Sequence, residues 1–206
     1  MWQLGDLYSQ RQQYAEAAKL FQRQLALIQE LYGAQSVEQT AAWSSLAHVA
    51  LQQNDFVLAQ SYNQQAMELD ERTFGKKNLK VAKDLEDMGY TYMRQKSYEK
   101  AADCTEQALA IKEELKGRDN PANEMTLTQL AQTYASGKQF EKAESAYRRL
   151  LAFQEKQHGA TGPMLLGTLR GLEQVLVSLG KNEEAQQVRD REAALQAAVL
   201  KPVAAK

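Results

Sequence analysis

An all-α solenoid of about five helical hairpins, ten helices in all, is the fold class this sequence predicts. Three observations carry the prediction. A pattern returns every 42 residues: Leu4, Leu46, Met88, Leu130 and Leu172 form one column, and Ala17, Ala59, Ala101, Ala143 and Ala185 another. A fixed period of this length marks an array of one supersecondary unit, each copy too small to bury its apolar face alone. Within a copy, apolar residues such as Trp43, Leu46, Ala47, Ala50 and Leu51 recur at three- and four-residue spacing, which places them on one face of a helix. Gly33, Gly75, Gly117 and Gly159 recur at the same point of four copies, where a helix end calls for positive φ.

Taken in order, the copies span about 1–35, 36–77, 78–119, 120–161 and 162–201 of a single array over 1–206. Copy one enters its first helix late, and Trp2 is expected to present an apolar edge; either the first hairpin is short or, the favoured expectation, the chain is a piece of a longer protein. Copy two shows the unit in full. Its first helix runs from about Val37 to Gln53, the Gln53-Asn54-Asp55 triplet turns, and its second helix runs from Phe56 to Phe74. Gly75 then reads as a left-handed C-cap. In copy three, Cys104 falls in a column shared with Leu20, Tyr62, Ala146 and Val188. A thiol in such company is a small buried hydrophobe. Copy four opens on Asn120-Pro121, with proline expected at the first helical position. Copy five puts Asn182 in the column held elsewhere by Tyr14, Phe56, Tyr98 and Phe140. Pro202 closes its last helix. Gly137 and Gly180 mark inter-helix turns. Such short turns leave only antiparallel neighbours, and the alanine column lets paired helices approach closely.

Charge excludes one class of partner. Lys and Arg total 25 against 26 Asp and Glu, without the basic surface needed to displace counterions from nucleic-acid phosphates. No apolar run is long enough for a membrane helix. A lone cysteine permits no internal disulfide, so a reducing, cytoplasmic setting is the expectation, or a periplasmic one if a signal segment has been removed.

The residues also resemble a family. Copy one reads Leu4-Gly5-x-x-Tyr8 and then Ala17-x-x-x-Phe21; copy three has Met88-Gly89-x-x-Tyr92; copy four has Leu130-Ala131-x-x-Tyr134 and Ala143-x-x-x-Tyr147. This is similar to the tetratricopeptide signature. The 42-residue length and the link from Gly117 to Pro121 resemble the repeats of kinesin light chain and similar bacterial proteins. The chain departs from the signature at Asn63, Thr105 and Arg189, where an aromatic is usual. Polar residues in copy five suggest a capping repeat.

The resemblance implies a right-handed superhelix whose first helices line a concave groove for a peptide or protein segment. Family groove positions fall on four columns. One holds Asp6, His48, Tyr90, Gln132 and Gln174; a second Ser9, Leu51, Met93, Ala135 and Val177. The third holds Gln10, Gln52, Arg94, Ser136 and Ser178, and the fourth Trp2, Ser44, Glu86, Thr128 and Arg170. They make a polar, nearly neutral wall with an apolar strip of Leu51, Met93 and Val177, suited to peptide backbone and apolar anchors. Chaperone-binding relatives clamp a terminal carboxylate with asparagine and lysine, which these columns lack. Basic groove residues reduce to Arg94 and Arg170.

Catalysis finds no footing. Asp6, His48 and Tyr90 could form a hydrogen-bonded row, but no nucleophile shares their column. His158 is expected to complement a helix dipole. The two histidines lie too far apart to share a metal. Glu86-Asp87 and Glu183-Glu184 diverge on their helices, and no glycine-rich phosphate loop is present. Neither cofactor nor metal is therefore expected. Two alternatives to a peptide-binding module remain open. One is self-association through the Trp2 edge or the alanine-rich stretch from Ala193 to Leu200, which light scattering would detect. The other is a regulatory sensor domain of a larger protein.

Overall fold

The structure, a computed structural model, describes the backbone of residues 2–200 and the side chains of residues 3–198. The expected Trp2 edge and the Pro202 helix stop lie outside the described side chains. Among the described residues there are ten α-helices and no strand. They are α1 Trp2–Gln10, α2 Tyr14–Tyr32, α3 Gln39–Gln52, α4 Phe56–Phe74, α5 Leu79–Arg94, α6 Tyr98–Lys116, α7 Asn123–Ser136, α8 Phe140–His158, α9 Leu165–Ser178 and α10 Asn182–Leu200. The chain divides into two compact units, Met1–Ile111 and Lys112–Lys206.

In the first unit each helix from α1 to α5 packs against its neighbours in sequence. Leu46 and Val49 of α3 meet Ala17 and Phe21 of α2 in one cluster, and Val81, Leu85 and Met88 of α5 meet Cys104 and Ala108 of α6 in another. The leucine column is thus covered by the helix that precedes it as well as by its own partner. Leu46 and Met88 are buried, whereas Leu4, with no earlier helix among the described residues, is 46% exposed. In the second unit α7 packs on α8, α8 on α9 and α9 on α10, with Leu165, Leu169 and Leu195 at one core.

The alanine column is buried in every copy, Ala101 completely. Any added methylene there must displace a neighbouring helix. Ala101→Leu is therefore expected to cost roughly 1–3 kcal/mol by overpacking, measured as a lowered urea midpoint. An unchanged midpoint would show that the close approach is not needed.

Helix ends follow the expected glycines with one correction. Gly33, Gly75 and Gly159 have φ between 79° and 86°, but ψ of 161° to 163°. That is the extended positive-φ region open essentially to glycine alone, not the left-handed helical cap expected from sequence. Nothing crowds their Cβ positions, so the backbone is the whole constraint. The left-handed turn residue lies instead within each hairpin, at Gln12, Asn54, Lys96, Lys138 and Gly180. Gly137, with φ of −79°, needs no glycine. Pro121 also sits differently. It belongs to the turn before α7, which starts at Asn123, and the Asn120 side chain accepts from the Ala122 N–H at 3.0 Å. Buried Asn123 then donates to the carbonyls of Gly117 and Arg118 at 3.0 and 3.1 Å, as buried Gln39 does to Gly33 and Ser36. These side chains recover loop carbonyls that would otherwise lose hydration.

One inter-helix slot changes chemistry from copy to copy. In copies four and five it holds Gln154 and Thr168, bonded at 2.7 Å; in copies three and four, Lys112 and Thr126, also at 2.7 Å. The equivalent positions between α4 and α5 are Asp70 and Asp84, 2% and 5% exposed. Their carboxyls hydrogen-bond to each other, while Asp70 Oδ1 and Asp84 Oδ2 have no partner. Burial, reinforced by the charges of Asp70 and Asp87, pushes Asp84 up to about 7.

Candidate functional site

A pocket of about 290 Å³ opens in the first unit, lined by the first helices of three hairpins. Asp6 and Ser9 come from α1; Ser44, Ser45, Ala47, His48 and Leu51 from α3; Lys83, Asp87, Tyr90 and Thr91 from α5. Phe21 of α2 and Asn63 of α4 complete it. The helical period explains this convergence: residues three and four apart on one helix share a face, and the 42-residue repeat brings the same face forward in each copy.

Asp6, His48, Leu51 and Tyr90, all expected in the groove, meet at this pocket. Gln52 stands beside it, its amide 3.2 Å from the His48 ring. That contact engages one nitrogen of the His48 ring within its own helix. Arg94 lies over the Tyr90 ring, 6.0 Å from its centroid, and Met93 is half-buried. Two positions depart from a wet wall. Leu51 is only 2% exposed, held among Ala50, Ala59 and Phe56 where α3 turns into α4, so it is core rather than an anchor strip. Glu86 is 6% exposed. A column carried over by position treats every copy alike, whereas Arg170 in the same column is exposed.

In the second unit Gln132 and Ser136 are exposed on α7, and Gln174 on α9. Arg170 donates to Glu192 of α10 at 2.8 Å, which neutralises it. His158 does more than face a helix end: its Nε2 lies 2.9 Å from Glu124 Oε2. Arg189, a departure from the signature, donates to Glu173 of α9 at 2.8 Å, and Thr105 satisfies itself on the Ala101 carbonyl at 2.8 Å.

Sequence reasoning missed several pocket residues. Asn63, noted only as a departure from an aromatic, is 3% exposed and donates to Thr91 Oγ1 at 2.9 Å. Thr91 in turn donates to the Asp87 carbonyl at 3.0 Å. Lys83 pairs with Asp87 one turn on. Burial pushes the Asp87 carboxyl up, with Lys83 opposing that rise. The signal was available in the period. Phe21 and Tyr147 hold the position equivalent to Asn63, so a shorter side chain there had to leave space. Cys104 is buried, and burial, with Asp103, raises its thiol pKa, keeping it an unreactive hydrophobe. Among the described residues no helix is long and apolar enough to cross a membrane, and no His, Cys, Asp and Glu cluster could hold a metal ion.

Comparison with known proteins places this architecture. The tetratricopeptide repeat family model matches residues 1–72, 38–114 and 81–156, so the chain belongs to the tetratricopeptide repeat family. No curated protein sequence matches closely enough to count as a relative. Among solved structures, a kinesin light chain-like protein from Podospora anserina with nearly identical TPR-like repeats is similar at 20% identity. That likeness covers 97% of this chain and 94% of that one with a TM-score of 0.85. BtubC (BKLC) from P. vanneervenii is similar at 21% identity over 98% of this chain and 81% of its own, with a TM-score of 0.86. Aspartyl phosphate phosphatase F from Bacillus subtilis is similar at 17% identity over 96% of this chain and 50% of that one, with a TM-score of 0.77. At these identities the likeness establishes the fold alone.

Proposed function

We propose that this chain is a protein-interaction scaffold that binds a peptide segment along the first helices of its hairpins. The observation that carries the reading is the pocket formed by α1, α3 and α5, where side chains from three successive copies converge on one concavity. Tyr90 supplies an exposed ring at its rim, 37% accessible, and rigid aromatics of this kind anchor many interfaces. Family membership supports the same reading, because the tetratricopeptide unit is used widely to dock other proteins. A binding role also fits the chemistry better than a catalytic one: the His48 ring is engaged by Gln52, and the single thiol is buried.

Selection from a displayed random-peptide library tests it. Enriched peptides are expected to bind the Tyr90→Ala variant at least about tenfold more weakly, the loss of one anchor. Its thermal midpoint should stay close to that of the parent, since exposed side chains contribute little to stability. If no peptide is enriched, or if enriched peptides ignore the Tyr90 change, the peptide-binding reading fails.

A further inference from the structure

The pocket of the first unit leaves acceptors and an excess of negative charge open to an occupant. Several of its donors are engaged within the protein. Lys83 is paired with Asp87, the Asn63 amide nitrogen with Thr91, the Thr91 hydroxyl with the Asp87 carbonyl, and the Ser44 hydroxyl with the Thr40 carbonyl at 3.1 Å. Acceptors are left over. Asp6 meets no cation among the described residues. Asp87 has a second carboxylate oxygen beyond the one facing Lys83. Asn63, 97% buried and lining the cavity, keeps its amide oxygen after its nitrogen is used. Two carboxylates against one lysine leave the lining short of positive charge.

We propose that this pocket receives the cationic end of an arginine or lysine side chain from a bound peptide. The inference rests on the peptide-binding reading above and adds its chemical preference. Volume agrees: about 290 Å³ lies below the range of drug-sized ligand sites and suits a single long side chain. A guanidinium or ammonium brings several donors and no acceptor, which suits the open oxygens of Asp6, Asp87 and Asn63. Its charge would be paired in a half-buried setting, where charge-assisted hydrogen bonds are the strong ones. The pocket exists because copy two has Asn63 where copy one has Phe21, whose ring fills the space against Gly5.

The test uses a probe smaller than a peptide. Nα-acetyl-arginine amide is titrated into isotope-labelled protein and followed by amide chemical shifts, beside its citrulline counterpart, which has the same shape without the charge. Saturable shifts are expected around Asp6, His48 and Tyr90, with citrulline binding about tenfold more weakly or worse. Asp6→Asn, an exposed change that spares the core, is expected to weaken the arginine probe by a similar factor. Equal binding of citrulline, indifference to Asp6→Asn, or shifts scattered over other acidic surface would each overturn the cationic subsite. Its failure is separable from failure of the parent reading. Library peptides that bind through Tyr90 yet lack basic residues would leave peptide binding standing and remove the subsite. An arginine probe that saturates the pocket while no peptide is enriched would do the reverse.

Discussion

Asp84→Asn is expected to stabilise the protein at pH 8 by about 2–4 kcal/mol, by progressively less as pH falls, and hardly at all near pH 4. Asp70 and Asp84 face each other in a slot from which water is excluded, and one proton shared between them avoids two adjacent buried charges. Folding raises Asp84 from 3.8 to about 7, through burial first and the neighbouring Asp70 charge second, with Lys83 opposing. Asp70 is raised as well, by burial, with Lys80 opposing. The folded state therefore holds the proton more tightly than the unfolded chain. That contribution is complete below the unfolded value and disappears as pH climbs through the folded one. At about 1.4 kcal/mol per pKa unit, the loss between pH 4 and pH 7 is on the order of 4 kcal/mol. Asparagine keeps the size of Asp84 and donates to Asp70 without a proton to lose. Urea denaturation at pH 5, 6, 7 and 8 reads the result. A parent midpoint that rises with pH across this window, or a variant with the same slope as the parent, contradicts the argument. Glu144, which Lys181 and Arg148 hold below the usual range, acts in the opposite sense and at lower pH.

How far the sequence carried this structure depends on what repeated. Backbone features repeated with the period, so they were legible. The limits of α4 at Phe56 and Phe74, the buried alanines and the positive φ of the closing glycines all follow from columns five or four copies deep. Features that depend on which side chain meets which were not. Asp70 and Asp84 stand fourteen residues apart on different helices, and a single sequence gives no sign that two carboxyls share one slot. The polar pairs at the equivalent positions, Lys112 with Thr126 and Gln154 with Thr168, become meaningful only once one contact is known. Asn63 illustrates the same limit from the other side. Judged against the repeat signature it is a missing aromatic; in the structure its shortness opens a pocket and its amide ties α4 to α5. Three of the four groove columns place residues at this pocket, and the column of Gln10, Gln52 and Arg94 places none. They could not tell that Leu51 and Glu86 are almost fully buried, because burial depends on the next helix as well as on helical angle.

Phe21→Ala provides the second large effect, an expected loss of about 3–5 kcal/mol. Phe21 is 1% exposed and packs with Ala17, Leu46 and Val49, so its ring joins the first hairpin to the second. The glycine opposite has no freedom to close the gap: a Cβ on Gly5 would lie 2.6 Å from the Phe21 ring, so the two positions are matched as ring and void. Removing the ring leaves a cavity beside a backbone already at closest approach, and α1 cannot collapse inward without breaking its contacts to α2. Copy two tolerates Asn63 at the equivalent position because Thr91 supplies a hydrogen-bond partner there; alanine at position 21 gains no such compensation. Neighbouring hairpins supply most of each other's stability in a repeat array, so the damage is expected to start locally. Hydrogen exchange should accelerate first in α1 and α2, before the urea midpoint of the whole chain is reached. A midpoint loss worth less than about 1 kcal/mol, or exchange that accelerates uniformly along the first unit, would mean that the Phe21 ring does not hold the first hairpin in place.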